Sequence, residues 1–101
     1  MNTKLMEDWL LIIQCKRGNS RALGRIYRKY KRDCLLLAMA LVNDEHAAED
    51  IWHDVFIRFA QTIADFRLKG QLKGYLMTCV ANHTKNYIKS QKRRLTPKRT
   101  Q

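Results

Sequence analysis

Apolar residues recur at steps of three and four along almost the whole chain, and that period dictates helices. No run alternates in period two and β-branched residues are scattered, so strand signals are absent. One proline, Pro97, and four glycines leave few interruptions in 101 residues. The expected fold is all-α, a small domain of four helices. The first is expected over about Leu5 to Lys16, with Gly18 and Asn19 ending it. Ser20 can cap the second, over about Arg21 to Leu41, whose apolar stripe is Leu23, Tyr27, Tyr30, Cys34, Leu37 and Leu41. Asp44 is a candidate N-cap for the third, which runs to about Ile63. Glu45, Glu49 and Asp50 suit its early turns, where the helix dipole favours negative charge. Residues 64 to 71 read as a loop. The fourth helix is expected from about Leu72 to Gln91 along Leu72, Leu76, Cys79, Val80, His83 and Tyr87.

A chain of this length builds one compact core and no second domain. The domain is expected over residues 1–94, with 95–101 a basic tail or the start of a linker, where Pro97 argues against helix. No apolar run approaches membrane-spanning length, and the stretch from Trp9 to Ile13 is too short for the core of a signal peptide. Cys15, Cys34 and Cys79 are widely spaced, with no C-x-x-C pair, so they are expected as reduced core residues of a cytoplasmic protein.

Charge separates the two ends of the chain. The formal net charge is +11, from twenty Lys and Arg against nine Asp and Glu. All nine acids lie between Glu7 and Asp65, and residues 67 to 101 hold ten bases and no acid. That asymmetry points to a polyanionic partner for the C-terminal third, against the plainer alternative of a solvated basic tail. Nucleic acid meets such a face through counterion release.

Two faces remain once the core is assigned. On the third helix Asp50, His53, Asp54, Ile57 and Gln61 fall opposite the apolar side. An isoleucine ringed by Asp50, Asp54 and His53 has the composition of a small protein–protein contact, although single exposed apolar residues are common. On the fourth helix Gly74, Thr78, Ala81, Asn82, Lys85, Lys89 and Lys92 share an outward face. Lysines at one-turn spacing suit a row of phosphates, and Asn82 can read a base edge by paired hydrogen bonds. The alternative is a solvated helix end favoured by the dipole. Enzymatic chemistry finds no support: His46, His53 and His83 make no nucleophile triad and there is no glycine-rich phosphate loop. A metal shared by His46 and His53 would be sparsely held, with Asp50 the obvious further ligand. No cofactor and no small-molecule substrate is expected.

The run Ala48-Glu49-Asp50-Ile51-Trp52-His53-Asp54-Val55-Phe56 resembles the region 2.2 signature of bacterial sigma factors, especially the extracytoplasmic-function group. Gly18-Asn19-Ser20-Arg21-Ala22-Leu23 and Ile26-Tyr27-Arg28-Lys29-Tyr30 resemble the same family's opening helices. Leu72-Lys73-Gly74-Tyr75-Leu76, Ala81-Asn82, Asn86-Tyr87-Ile88 and the basic run to Arg94 resemble regions 2.3 and 2.4. The resemblance spans about residues 7 to 94 and implies a non-enzymatic transcription initiation domain. It implies that Asp50, His53, Asp54 and Ile57 meet the clamp helices of the RNA polymerase β′ subunit. It implies that the loop and fourth helix recognise the promoter −10 element and hold its non-template strand, through Arg67, Lys69, Lys73, Tyr75, Thr78, Asn82, Lys85, Asn86, Lys89, Lys92 and Arg93. An anti-sigma factor is a further partner the resemblance allows, and no membrane partner is expected. His53 and Tyr75 stand where the family usually has glutamine and tryptophan, and Thr78 and Ala81 replace positions often basic. Nothing corresponds to the family's region 4. The rival readings are a general nucleic-acid module without a polymerase contact, a polymerase or anti-sigma interaction module that never touches DNA, and a basic amphipathic domain on a membrane surface.

Overall fold

The computed structural model describes residues 3–95, with side chains from 6 to 93. Four α-helices follow in order: α1 (Thr3–Lys16), α2 (Ser20–Val42), α3 (Glu45–Gln61) and α4 (Leu72–Leu95). No strand occurs among the described residues. The expected tail beyond residue 95, with Pro97, lies outside them.

The turns follow from their residues. Past α1 the Gly18 N–H reaches the Cys15 carbonyl at 2.9 Å and the Asn19 N–H reaches Gln14 at 3.0 Å. These paired bonds need a left-handed residue between them, and Gly18 supplies it at φ +90°. Asn19, rather than the expected Ser20, then caps α2, its side chain accepting from the Arg21 N–H at 2.9 Å and the Ala22 N–H at 3.3 Å. Ser20 is the first residue of the helix instead. Asn43 ends α2 in the left-handed region at φ 52°. Asp44 caps α3 as expected, accepting from the Ala47 N–H at 3.2 Å.

α2 is the central helix and packs against the other three. Its buried face is Ala22, Ile26, Tyr30, Cys34 and Ala38. Tyr30 and Cys34 are buried as expected, but the rest of the expected stripe is rotated outward: Leu23, Tyr27 and Leu37 are only half-buried, and Leu41 is exposed. The reason is crowding. A helix with neighbours on three sides buries a wider face than one stripe, so small Ala22 and Ala38 sit at close approaches beside Ile26 and Tyr30, and Leu23, Tyr27 and Leu37 fill the seams. α3 buries Ala47, Ala48, Ile51, Trp52, Val55, Phe56 and Phe59, while Ile63 lies beyond the end of the helix and half-buried. α4 buries Leu72, Leu76, Val80 and Thr84. Thr84 takes a core place expected of His83, and its hydroxyl donates to the Val80 carbonyl at 2.7 Å. Cys79, His83 and Tyr87 are half-buried. Of the three free cysteines, Cys15 and Cys34 are buried. Burial, with Asp33 nearby, pushes the Cys34 thiol up to about 12.

α1 docks through Leu11, Ile12 and Cys15 and through one polar tie. The Asp8 carboxylate is buried, accepting from Lys29 Nζ at 2.7 Å and from the Tyr30 hydroxyl. Glu7 also pairs with Lys29. Burial disfavours the Lys29 ammonium, but the two carboxylates outweigh it and hold its pKa above the ordinary value. Burial and the Asp8 carboxylate likewise raise the Tyr30 phenol. The outward side of α1 keeps Met6, Trp9 and Leu10 about half-exposed.

Rings join the helices in a continuous chain. Tyr27 of α2 meets Trp52 and Phe56 of α3, with centroids 5.4 and 5.0 Å away. Phe56 leads to Phe59 at 5.8 Å, Phe59 to Phe66 at 5.2 Å, and Phe66 to Tyr75 at 4.8 Å. Such pairs add about 0.5–1.5 kcal/mol each beyond the area they bury. Trp52 Nε1 is buried with no hydrogen-bond partner among the described residues. The chain of rings ends at Tyr75, on the surface where α4 begins.

Candidate polymerase and nucleic-acid surfaces

All fifteen expected contact residues are exposed. They fall on two surfaces, one on α3 and one running from the α3–α4 loop along α4.

On α3, Asp50, His53 and Ile57 project away from the bundle, with Ile57 41% exposed. Asp54 is also exposed but turns toward α4, where its carboxylate lies 3.4 Å from His83 Nε2. Sequence periodicity missed what lies beside this face. A groove of about 430 Å³ runs between α2 and the start of α3, floored by Leu35, Leu36, Met39 and Ala48. Arg28, Lys31 and Arg32 rim one side and Glu45 and Glu49 the other. A smaller recess of about 310 Å³ continues it to Asp50 and His53. The signal was present in α2: Leu36 is 58% exposed, apolar at a position outside the core stripe.

On α4, Tyr75, Thr78, Asn82, Lys85, Lys89 and Lys92 follow steps of three and four, so they form one stripe along the helix. From Tyr75 to Lys92 it extends about 25 Å at 1.5 Å per residue. Asn86 and Arg93 flank it. The helix continues to Leu95, four residues past the expected end, so Lys92 and Arg93 are both helical. Lys and Arg are good helix formers, and cations are favoured near a helix C-terminus. Lys73 stands apart: its ammonium lies 3.2 Å from the Asp33 carboxylate of α2.

Two hollows open at the start of this stripe, and Tyr75 lines both. One, about 320 Å³, lies between α3 and α4 and is lined by Arg58, Phe59, Thr62, Asn82, His83 and Asn86 among others. Arg58 was not expected here; it is the only base on α3. The other, about 660 Å³, is formed by Thr62, Asp65, Phe66, Arg67, Lys69 and Tyr75. Burial first, and the Cys79 thiol beside it, raise the Tyr75 phenol above its ordinary value. A neutral aromatic face edged by amides and a guanidinium can stack on an unpaired base and bond its edge.

The loop is braced from outside. The Asp65 N–H reaches the Thr62 carbonyl at 3.1 Å, and the Phe66 N–H reaches Ile63 at 3.2 Å. Lys16 Nζ, at the end of α1, donates to the Phe66 carbonyl at 2.5 Å and lies 3.4 Å from that of Ala64. No group of three or more His, Cys, Asp or Glu able to hold a metal occurs among the described residues, and none of their helices is long and apolar enough to cross a membrane.

Comparison with known proteins agrees with this architecture. An engineered region 2 of sigmaE, solved by NMR in complex with GTAAAA, superposes with a TM-score of 0.79 at 22% identity, covering 94% of this chain and 98% of that one. At that identity the likeness speaks to the fold. The family model for Sigma-70 region 2 matches residues 26–94, and the chain belongs to that family. It is also 27% identical over 88 residues to the RNA polymerase sigma-H factor of Pseudomonas aeruginosa, a match over 87% of this chain and 46% of that protein. The chain thus spans about half the length of this curated relative.

Proposed function

We propose that this domain is a transcription initiation module that joins core RNA polymerase to the promoter −10 element. Asp50, His53, Asp54 and Ile57 meet the β′ clamp, with the groove of Leu35, Leu36 and Met39 beside them. The α4 stripe carries the non-template strand: Lys85, Lys89, Lys92 and Arg93 meet phosphates, and Tyr75, Asn82 and Asn86 meet an unpaired base. Arg67 and Lys69 hold the strand at the loop. Thr78 lies between Tyr75 and Asn82 on the stripe. Lys73 reaches DNA only by leaving Asp33, which makes it the weakest of the set.

The observation that carries this reading is the separation of chemistries within a region 2 fold. An acidic and apolar patch on α3 and an acid-free basic stripe on α4 leave from neighbouring helices, so one domain can hold two partners at once. Clefts and stripes of one sign concentrate a partner of the opposite sign.

The reversal Asp50→Lys, Asp54→Lys tests the polymerase half. Both residues lie off the buried face, so helix content by circular dichroism stays as it was. Affinity for a purified β′ clamp fragment falls at least about tenfold, since like charge against a complementary patch costs a few kcal/mol. Unchanged affinity removes the polymerase contact from this face.

A further inference from the structure

We infer that Lys16 is a positioning residue for base recognition: from the end of α1 it fixes the backbone of the α3–α4 loop whose side chains form the larger hollow. The inference rests on the proposed reading of that hollow as part of the DNA surface.

Lys16 stands on a firm base. α1 is pinned by buried Leu11, Ile12 and Cys15, and Gly18 closes it immediately afterwards. Its ammonium therefore starts from a fixed place and reaches across 48 to 50 residues of sequence to the Ala64 and Phe66 carbonyls. Those carbonyls lie three and five residues past the end of α3, and among the described residues neither accepts a hydrogen bond from a backbone N–H, so the ammonium meets acceptors that are otherwise unpaired with the backbone. A single donor group joined to two carbonyls two residues apart fixes the peptide planes between them.

The loop's own bonds leave this need unmet. The turn bonds stop at Phe66, and from Arg67 to Gln71 no backbone N–H bonds another backbone group among the described residues. Phe66 is the hinge of this segment. Its ring packs between Phe59 and Tyr75, and its carbonyl, held by Lys16, sets the direction in which Arg67 leaves. Arg67 and Lys69 then complete the hollow against Tyr75. Without Lys16 the ring contacts remain, but the exit path of the backbone is no longer fixed.

The test uses the full chain as wild type, Lys16→Met and Lys16→Arg. Methionine keeps the length and removes the donors; arginine keeps charge and donors. Lys16 is exposed, so melting temperature and helix content serve as fold controls. Hydrogen exchange reads the loop directly. In Lys16→Met the amides of Asp65 and Phe66 exchange about tenfold faster, the scale of losing one charged hydrogen bond, while α2 amides are unchanged and Lys16→Arg recovers at least half the protection. Anisotropy with single-stranded −10-like and scrambled oligonucleotides over a range of salt reads the consequence. Preference for the −10-like strand falls several-fold in Lys16→Met with the salt slope unchanged. Unchanged exchange overturns the anchor. Equal weakening of both strands with a salt slope lower by about one makes Lys16 itself a phosphate contact and overturns the positioning role. A wild type that prefers neither strand overturns the underlying DNA reading instead, and the exchange measurement still decides whether Lys16 holds the loop.

Discussion

α3 and α4 lie side by side against α2, yet they hold their side chains in opposite ways. α3 is bound to the core from its first turn to its last, with buried residues from Ala47 to Phe59. α4 is bound only through its first half. Its buried residues stop at Thr84, and only half-buried or exposed ones follow through Arg93. Their charges diverge in parallel. α3 carries four carboxylates against Arg58, and α4 carries six bases and no acid. A helix packed along its whole length can offer a partner only what its outer face leaves over, which suits a small, fixed protein contact. A helix that outlasts its core offers most of its circumference, which suits a long polyanion. Isolated helical segments of this length are marginal in water. The second half of α4 therefore depends on its own propensity and on the turns below it.

The largest effect that sharpens this contrast is at Trp52, fully buried at the α2 end of the ring chain, between Tyr27 and Phe56. Trp52→Ala destabilises the domain by about 3–5 kcal/mol, from lost burial and the cavity left behind. Urea unfolding followed by circular dichroism measures it. A loss under 1 kcal/mol would break the claim that α3 is a core helix first.

At the other extreme is Lys89, on the exposed half of α4. Lys89→Ala leaves stability within about 0.5 kcal/mol. It weakens DNA binding uniformly across sequences and lowers the slope of log affinity against log salt by about one. If it destabilises the domain as Trp52→Ala does, the distal half of α4 is part of the core and the comparison fails.

The four helices and the fifteen exposed contact residues were legible in the sequence because they rest on local period, and Asp44 as a cap because its short carboxylate precedes the first turn. What was not legible came from crowding and distance. In α2 Tyr30 and Cys34 are buried as expected, but a helix surrounded on three sides adds Ala22, Ile26 and Ala38 to the core and leaves Leu23, Tyr27 and Leu37 half-buried and Leu41 outside. In α4 the basic run was read as the end of the helix, although such residues continue one. The pairings Lys73 with Asp33, His83 with Asp54 and Lys16 with the loop carbonyls join residues far apart in the chain. No spacing rule reveals them. They nevertheless decide which charges are free and how the loop is shaped.

The central claim is that α4 reads bases as well as holding phosphates. The direct measurement is fluorescence anisotropy of wild type, Asn82→Ala and Tyr75→Ala on −10-like and scrambled single strands, alone and with core polymerase present. Each substitution is expected to cost about 1–3 kcal/mol on the preferred strand and little on the scrambled one. Equal losses on both strands in both settings would contradict base reading and leave α4 a general nucleic-acid surface.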